Sequence, residues 1–204
     1  MKNIYRLSVT ILFVTFITGC KKADVQINGK DTATHRSNFR VIGYLPLHSI
    51  ENGLGVNFDF SRINYLNIAF INPNQNANFT VTSALSNVVF AAHAKNTKVL
   101  ISIGGGSAPA YYSSLLSDTL RSTLINNLVK LVADNNLDGI DVDLEGERID
   151  NNYEAFVTGL STALKSKNKL LTSAVATAYM SKYTDSALAV YDFINIMSYD
   201  KTGQ

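Results

Sequence analysis

Apolar runs of strand length alternate with longer amphipathic stretches from residue 40 to the end of the chain. Six of the apolar runs are continuous or nearly so, which is typical of strands buried on both faces of a parallel sheet. We therefore predict β-strands at residues 40–46, 65–71, 98–105, 139–145, 170–177 and 192–200.

Several of the intervening stretches carry apolar residues at helical spacing. We predict helices at residues 83–95, 116–135 and 153–165. Strands that alternate with helices indicate βαβ units and an α/β protein with a parallel sheet. An open doubly wound sheet and a (β/α) barrel both fit this pattern, and periodicity alone does not choose between them.

The start of the chain has a different character. Lys2 and Arg6 precede an apolar run at residues 7–17, and small residues lead from that run to Cys20. A basic start, a short apolar core and small residues are typical of a secretory signal, and the run is too short for a comfortable membrane span. The ending ITGC resembles a bacterial lipoprotein box, in which the cysteine is lipidated and becomes the mature N-terminus.

We therefore expect a lipoprotein signal peptide at residues 1–20, a flexible polar tether at 21–38 and a folded domain at 39–204. The resemblance implies a cell-envelope protein whose lipid anchor at Cys20 holds it to a membrane, facing the periplasm or the cell exterior. A plain signal peptide with an incidental cysteine is the alternative. Cys20 is the single cysteine of the chain, so no internal disulfide can form.

Composition adds little beyond the class of protein. Of the 204 residues, 46% are hydrophobic and 17% are charged, as in an ordinary globular protein. The formal net charge is only +2, so nothing points to nucleic acid or an acidic polymer as a partner.

Four acidic residues fall within one short apolar run, LDGIDVDLEGE at residues 137–147. Because strand side chains alternate in direction, Asp141, Asp143 and Glu145 share one side of the predicted strand. Glu145 comes last, at the end of the strand where barrel enzymes keep their chemistry. Asp138 has the opposite parity, so we interpret it as a structural residue that orders the start of the strand.

A row of buried carboxylates is costly unless its members share protons or meet a ligand. Three interpretations follow from the residues alone. The strand could be an acidic edge that faces solvent, or it could hold Mg²⁺ or Ca²⁺. It could also be a set of coupled carboxylates whose outermost member protonates a leaving group.

The run DGIDVDLE at residues 138–145 resembles the DGxDxDxE signature of family 18 glycoside hydrolases, the chitinase family. Three further matches follow in the family's order: Gly43 and Tyr44 on the first strand, SIGG at 102–105 on the third and MSYD at 197–200 on the sixth. The resemblance covers nearly all of the chain after the tether. It implies a (β/α)8 barrel of the TIM type, of which we count about six of the eight strand–helix units.

The resemblance also implies a role for each residue of the acidic row. Glu145 matches the general acid, which protonates the glycosidic oxygen and then acts as base for the incoming water. Asp143 matches the residue that orients the acetamide of the bound sugar, and Asp141 lies deeper and shares a proton with Asp143. The acetamide itself is the nucleophile, so an oxazolinium ion forms and the anomeric configuration is retained, an exception to the two-carboxylate rule.

Other matched residues would bind the sugar or support the row. Tyr199 matches the hydroxyl that holds the acetamide oxygen, Met197 the apolar wall under the acetyl methyl, and Asp200 a polar contact to the sugar. Ser102 and Tyr44 match groups near the base of the acidic strand that could satisfy Asp141. This mechanism requires no metal and no cofactor.

The chain departs from the family pattern in places. Many members have tryptophan at the position of Leu144 and an aromatic residue at that of Gly106, and this chain has no tryptophan at all. Leu144 points toward the helices, so we expect the chemistry to survive there, whereas Gly106 would remove a sugar-stacking platform. With six of eight units, we expect a C-terminally truncated fragment that is itself a poor enzyme or none.

The expected partner is chitin, a chito-oligosaccharide or another glycan that contains N-acetylglucosamine. Hydrolysis of β-1,4-linked N-acetylglucosamine is the first hypothesis. The alternatives are an endo-β-N-acetylglucosaminidase that acts on N-linked glycans and a non-catalytic sugar-binding relative. Lectin-like members commonly lose the terminal glutamate of the motif, so the intact Glu145 argues against the last.

Overall fold

The computed structural model describes residues 39–53 and 58–199. The predicted signal peptide with Cys20, the tether at residues 21–38 and the candidate sugar contact Asp200 lie outside the described residues. These three features therefore stay predictions.

All six predicted strands are present, each ending within three residues of its predicted bounds. They are β1 Ile42–Pro46, β2 Tyr65–Ala69, β3 Lys98–Gly104, β4 Gly139–Asp143, β5 Leu170–Ala176 and β6 Phe193–Met197. Each strand pairs in parallel with the next one along the chain. A doubly wound sheet reverses its strand order at a switch point, whereas this order never reverses. The sheet therefore confirms the TIM-barrel type with six strand–helix units.

Helices and short 3-10 turns connect the strands. The α-helices are α1 Leu47–Glu51, α2 Leu85–His93, α3 Tyr112–Leu116, α4 Arg121–Asp134, α5 Tyr153–Lys165 and α6 Asp185–Ala189. The 3-10 turns are Phe60–Arg62, Gly146–Arg148 and Thr177–Lys182. Buried residues of α2, α4 and α5 join the outward apolar side chains of the strands in one core. No helix within residues 39–53 and 58–199 has the length and apolarity that crossing a membrane requires.

The single helix predicted at residues 116–135 is wrong in its extent. The helix α4 begins only at Arg121, and Leu116 is the last residue of the separate helix α3, which ends there because Ser117 takes an extended conformation (φ −62°, ψ 160°). Leu116 and Leu124 on the two sides of the break are both fully buried, and Leu120 packs against the same core. The apolar spacing runs through the break, so periodicity alone could not reveal it.

The sheet is curled, since side chains of its last strand reach its first two strands. The ring of Phe193 on β6 packs edge-on against that of Tyr65 on β2, with 4.9 Å between centroids. The Asn195 Nδ2 on β6 donates a hydrogen bond of 3.0 Å to the Tyr44 hydroxyl on β1. The curl brings the inward side chains of all six strands around one common interior.

Candidate active site

Strand β4 delivers its carboxylates to the interior of the curled sheet. Ile140, Val142 and Leu144 are fully buried in the core on the other side, as their parity predicts. Register sets Asp141 beside Ser102 of β3 and Thr172 of β5. The acidic row is therefore not a solvent-facing edge, because a strand covers β4 on each side and Asp141 is completely buried.

Asp141 receives hydrogen bonds from three hydroxyl groups. Tyr44 and Ser102 donate to its Oδ2 at 3.0 Å and 2.8 Å, and Thr172 donates to its Oδ1 at 2.5 Å. Burial raises the pKa of Asp141, and the three donors oppose that rise because they stabilise the ionised form. Thr172 is not among the residues predicted for the site, although a polar side chain at an inward position of β5 is a signal that could have identified it.

Asp143 has a very different environment. It is almost completely buried, and its Oδ1 has no hydrogen-bond partner among the described residues. Burial, followed by the charges of Glu145 and Asp141, raises the pKa of Asp143 to about 7. The row therefore keeps a proton near neutral pH, and the donors around Asp141 favour Asp143 as its holder.

The backbone carbonyl of Asp143 contacts two glycines, Gly104 at the end of β3 and Gly105 just after it. Gly104 and Gly105 have φ angles of +105° and +84°, and the Gly105 N–H donates to the Asp143 carbonyl at 2.7 Å. A Cβ on Gly104 would lie 2.1 Å from that carbonyl oxygen, and a Cβ on Gly105 would lie 2.6 Å from the Phe70 ring. Glycine is thus required at both positions, which gives the SIGG motif a structural reason.

Glu145 lies two residues beyond β4, because the strand ends at Asp143 and not at Glu145 as predicted. Its backbone is extended (φ −126°, ψ 155°) and leads into the 3-10 turn at Gly146–Arg148. The side chain is half-buried and its Oε1 would lie 3.6 Å from a Cβ placed on Gly106. The carboxyl group is therefore at the carboxyl end of the sheet, beside the loop after β3 and open to a ligand.

Two cavities meet at Phe70, Asp143, Met197 and Tyr199. The smaller, of about 480 Å³, also contacts Glu145, Gly106 and the 3-10 turn after β5. The larger, of about 1010 Å³, lies between β1 and β6 and includes Tyr44 and Asn195. Asp143 borders both cavities and Glu145 borders the smaller one, so the outer carboxyl groups of the row face the region where the cavities meet. Tyr199 is 65% exposed at this point.

Asp138 lies apart from this cleft. Its Oδ2 accepts a hydrogen bond from the Val99 N–H at 2.8 Å and lies 2.8 Å from Nε2 of His93. These contacts tie the start of β4 to β3 and α2, which agrees with a structural role. The described residues contain no group of three or more His, Cys, Asp or Glu side chains that could hold a metal ion.

A parallel barrel-type sheet with inward carboxylates and a half-buried glutamate at the carboxyl end of a strand is the arrangement in which barrel enzymes place their catalytic groups. Residues 40–204 match the model of the glycosyl hydrolases family 18, and the chain belongs to that family.

Solved structures and curated proteins agree with this family. The chitinase ChiB from the chitin utilization locus of Flavobacterium johnsoniae is 35% identical, with a TM-score of 0.73 over 80% of this chain and 55% of that one. A chitinase-like agglutinin from Robinia pseudoacacia is 26% identical, with a TM-score of 0.68 over 78% and 55%. The secreted chitinase LysM12 of Penicillium expansum is 23% identical over 194 residues, which is 82% of this chain and 13% of that protein. This chain thus spans about half the length of the two structures and less of the fungal protein.

Proposed function

We propose that this protein hydrolyses β-1,4-linked N-acetylglucosamine, as in chitin or chito-oligosaccharides, by substrate-assisted catalysis with retention. The observation that carries the proposal is the graded row on β4: hydroxyl-bound Asp141, unpartnered Asp143 and half-buried Glu145. In this row Glu145 supplies the general acid and Asp143 the carboxylate that orients the acetamide. Asp141 is the neighbour with which Asp143 exchanges a proton. Membership of family 18 and the 35% identity to a chitinase support the same substrate class.

In the first step, Glu145 gives its proton to the glycosidic oxygen as the bond from that oxygen to the anomeric carbon breaks. The acetamide oxygen of the same sugar forms a bond to the anomeric carbon and an oxazolinium ion results. Asp143 holds the acetamide N–H, on which positive charge develops. Ionised Asp143 stabilises that charge, and Asp141 is the neighbour with which it exchanges its proton.

In the second step, water attacks the anomeric carbon and gives a proton to the Glu145 carboxylate, while the bond to the acetamide oxygen breaks. Each of the two attacks inverts the configuration of the anomeric carbon, so the product keeps the configuration of the substrate. Tyr199 would hold the acetamide oxygen in line and Met197 would line the acetyl methyl, since both border the cleft beside Asp143. Asp200, the next residue, is proposed as a polar contact to the sugar.

Hydrolysis of chitotetraose tests this function directly. We expect turnover by the wild type, loss of about a hundredfold or more in kcat for Glu145→Gln, and a similar loss for Asp143→Asn. Proton NMR of the first-formed product should show the β-anomer, and an oxazoline-mimicking thiazoline should inhibit. The α-anomer as first product would refute the substrate-assisted route.

The likeness to a chitinase-like agglutinin keeps a sugar-binding function as the second candidate. Calorimetry and a turnover assay on chitotetraose together separate the two, because a binding protein would bind this sugar and show no turnover in the wild type. An endo-β-N-acetylglucosaminidase is distinguished by release of glycan from a high-mannose glycoprotein and no cleavage of chitotetraose.

We also propose that Cys20 is lipidated and anchors the protein in a membrane of the cell envelope. The proposal is supported by the basic start, the apolar run and the ITGC ending of the sequence. Cys20→Ala should move the protein from the membrane fraction to the soluble fraction of its native host. Unchanged membrane association of the variant would contradict the anchor.

A further inference from the structure

The backbone at Glu145 has already left the sheet. β4 ends at Asp143, which pairs with Gly104 of β3. Glu145 remains extended, and Gly146 then turns the chain with a φ of +62°. The direction in which the Glu145 side chain points therefore depends on contacts outside the strand ladder.

Tyr183, just after the 3-10 turn at Thr177–Lys182, supplies one such contact. Its hydroxyl donates a buried hydrogen bond of 3.1 Å to the carbonyl oxygen of Leu144. That carbonyl is part of the peptide plane that joins Leu144 to Glu145, so the bond fixes the plane from which Glu145 projects. The Tyr183 ring is held in turn by an edge-on contact with Tyr153, with 5.4 Å between centroids.

The Tyr183 hydroxyl is a reliable donor in this position. Burial raises its pKa, and Tyr153 and the carboxylates of Asp143 and Glu145 raise it further. The group therefore stays neutral throughout the neutral range, and a neutral phenol can donate to a carbonyl oxygen whereas a phenolate cannot.

We propose that Tyr183 is a positioning residue for the general acid: its hydrogen bond to Leu144 sets where the Glu145 carboxyl meets the glycosidic oxygen. The inference rests on the proposed function, because it assigns Glu145 the role of acid. Tyr183 touches no substrate atom in this scheme and acts only through the backbone.

Removing the hydroxyl should affect proton donation more than sugar binding. A general acid must lie within about 2.6–3.2 Å of the atom it protonates. Misplacement by roughly 1 Å can cost about a hundredfold, so loss of one backbone tether should cost about tenfold in kcat/KM for a sugar leaving group. KM should change little, since no contact to the sugar is removed.

Tyr183→Phe is the test variant, and Tyr191→Phe is its matched control. Tyr191 is also buried, and its hydroxyl lies 2.6 Å from that of Tyr153 in the same aromatic cluster. The variant Tyr191→Phe therefore loses a buried hydrogen bond of a similar kind, but it makes no change at the peptide that joins Leu144 to Glu145. Thermal unfolding of both variants measures the shared structural cost.

Each protein is assayed on two substrates, chitotetraose and the 2,4-dinitrophenyl glycoside of N,N′-diacetylchitobiose. A sugar leaving group needs a proton from Glu145, whereas dinitrophenolate departs without one. For Tyr183→Phe we expect kcat/KM to fall about tenfold on chitotetraose and to stay near wild type on the dinitrophenyl substrate. Tyr191→Phe should leave the ratio of the two values unchanged. The ratio is independent of how much of each variant folds.

Equal losses on both substrates, or no loss on either, would overturn the positioning role of Tyr183. Wild-type protein that cleaves neither substrate would overturn the proposed function together with the inference. Wild-type turnover with an unchanged ratio in Tyr183→Phe would overturn the inference alone.

Discussion

At the scale of single residues, hydrogen-bond donors distinguish Asp141 from Asp143, two chemically identical side chains on the same strand. Asp141 has three hydroxyl donors, and one of them, Tyr44, has its direction set by Asn195. Because the Asn195 amide donates to the Tyr44 oxygen, the Tyr44 proton is directed at Asp141. Asp143 has no such support at Oδ1, and burial followed by the charges of Glu145 and Asp141 raises its pKa to about 7.

Asp143→Asn should change how stability depends on pH. The folded-state pKa of about 7 lies above the ordinary aspartate value of 3.8, so between these pH values the folded protein retains a proton that the unfolded chain releases. This contribution to stability is present below about pH 4 and is lost as pH rises through about 7. The free energy of unfolding of Asp143→Asn, minus that of the wild type, should therefore rise with pH by up to about 4 kcal/mol.

Urea unfolding at several pH values between about 4 and 8 measures this difference. Glu147→Gln is the control, because Glu147 is exposed and pairs only with Lys182 at the surface. The free energy of unfolding of Glu147→Gln should differ little from that of the wild type at every pH, since exposed ion pairs contribute about 0–1 kcal/mol. A flat difference for Asp143→Asn as well would show that Asp143 is ionised throughout this range.

At the scale of the elements, the alternation of apolar runs was sufficient to predict every strand of the sheet. The acidic row and the SIGG run could also be predicted, because parity and motif are properties of one segment. The break between α3 and α4 could not, since apolar spacing continues through it. Nor could the contacts of Asn195 and Tyr183, because their partners lie 151 and 39 residues away along the chain and meet them only in the folded protein.

Gly104→Ala should disrupt the end of β3 and, with it, the end of β4. The new Cβ would lie 2.1 Å from the Asp143 carbonyl oxygen and would force alanine into a φ of +105°. Strain and a backbone clash of this kind should destabilise the protein by about 3 kcal/mol or more. Thermal unfolding checks this, with Gly106→Ala as control, because a Cβ there meets its nearest neighbour, Glu145 Oε1, at 3.6 Å. Equal melting temperatures for the two variants would contradict the clash.

At the scale of the whole molecule, the two ends of the sheet are held near each other by few contacts. Among the described residues, β1 pairs only with β2 and β6 pairs only with β5. The contacts of Asn195 with Tyr44 and of Phe193 with Tyr65 cross the interior. Between them lies the cavity of about 1010 Å³, which borders Asp143, Met197 and Tyr199. One side of the proposed sugar site is therefore wide and lined by strand edges.

This geometry predicts weak catalysis by residues 21–204 when they are produced alone. Asp143 and Glu145 are in place, but Tyr199 is largely exposed and the cavity beside it is much larger than one sugar ring. Positioning and exclusion of water carry much of the rate, so loose packing around the acetamide should cost about a hundredfold. We expect kcat/KM on chitotetraose to be lower by at least that factor than for the chitinase of Flavobacterium johnsoniae, measured per mole of folded protein. Glu145→Gln in the same chain serves as the blank. Turnover equal to that of the chitinase, and abolished by Glu145→Gln, would mean that six strand–helix units already hold the sugar firmly enough for full catalysis.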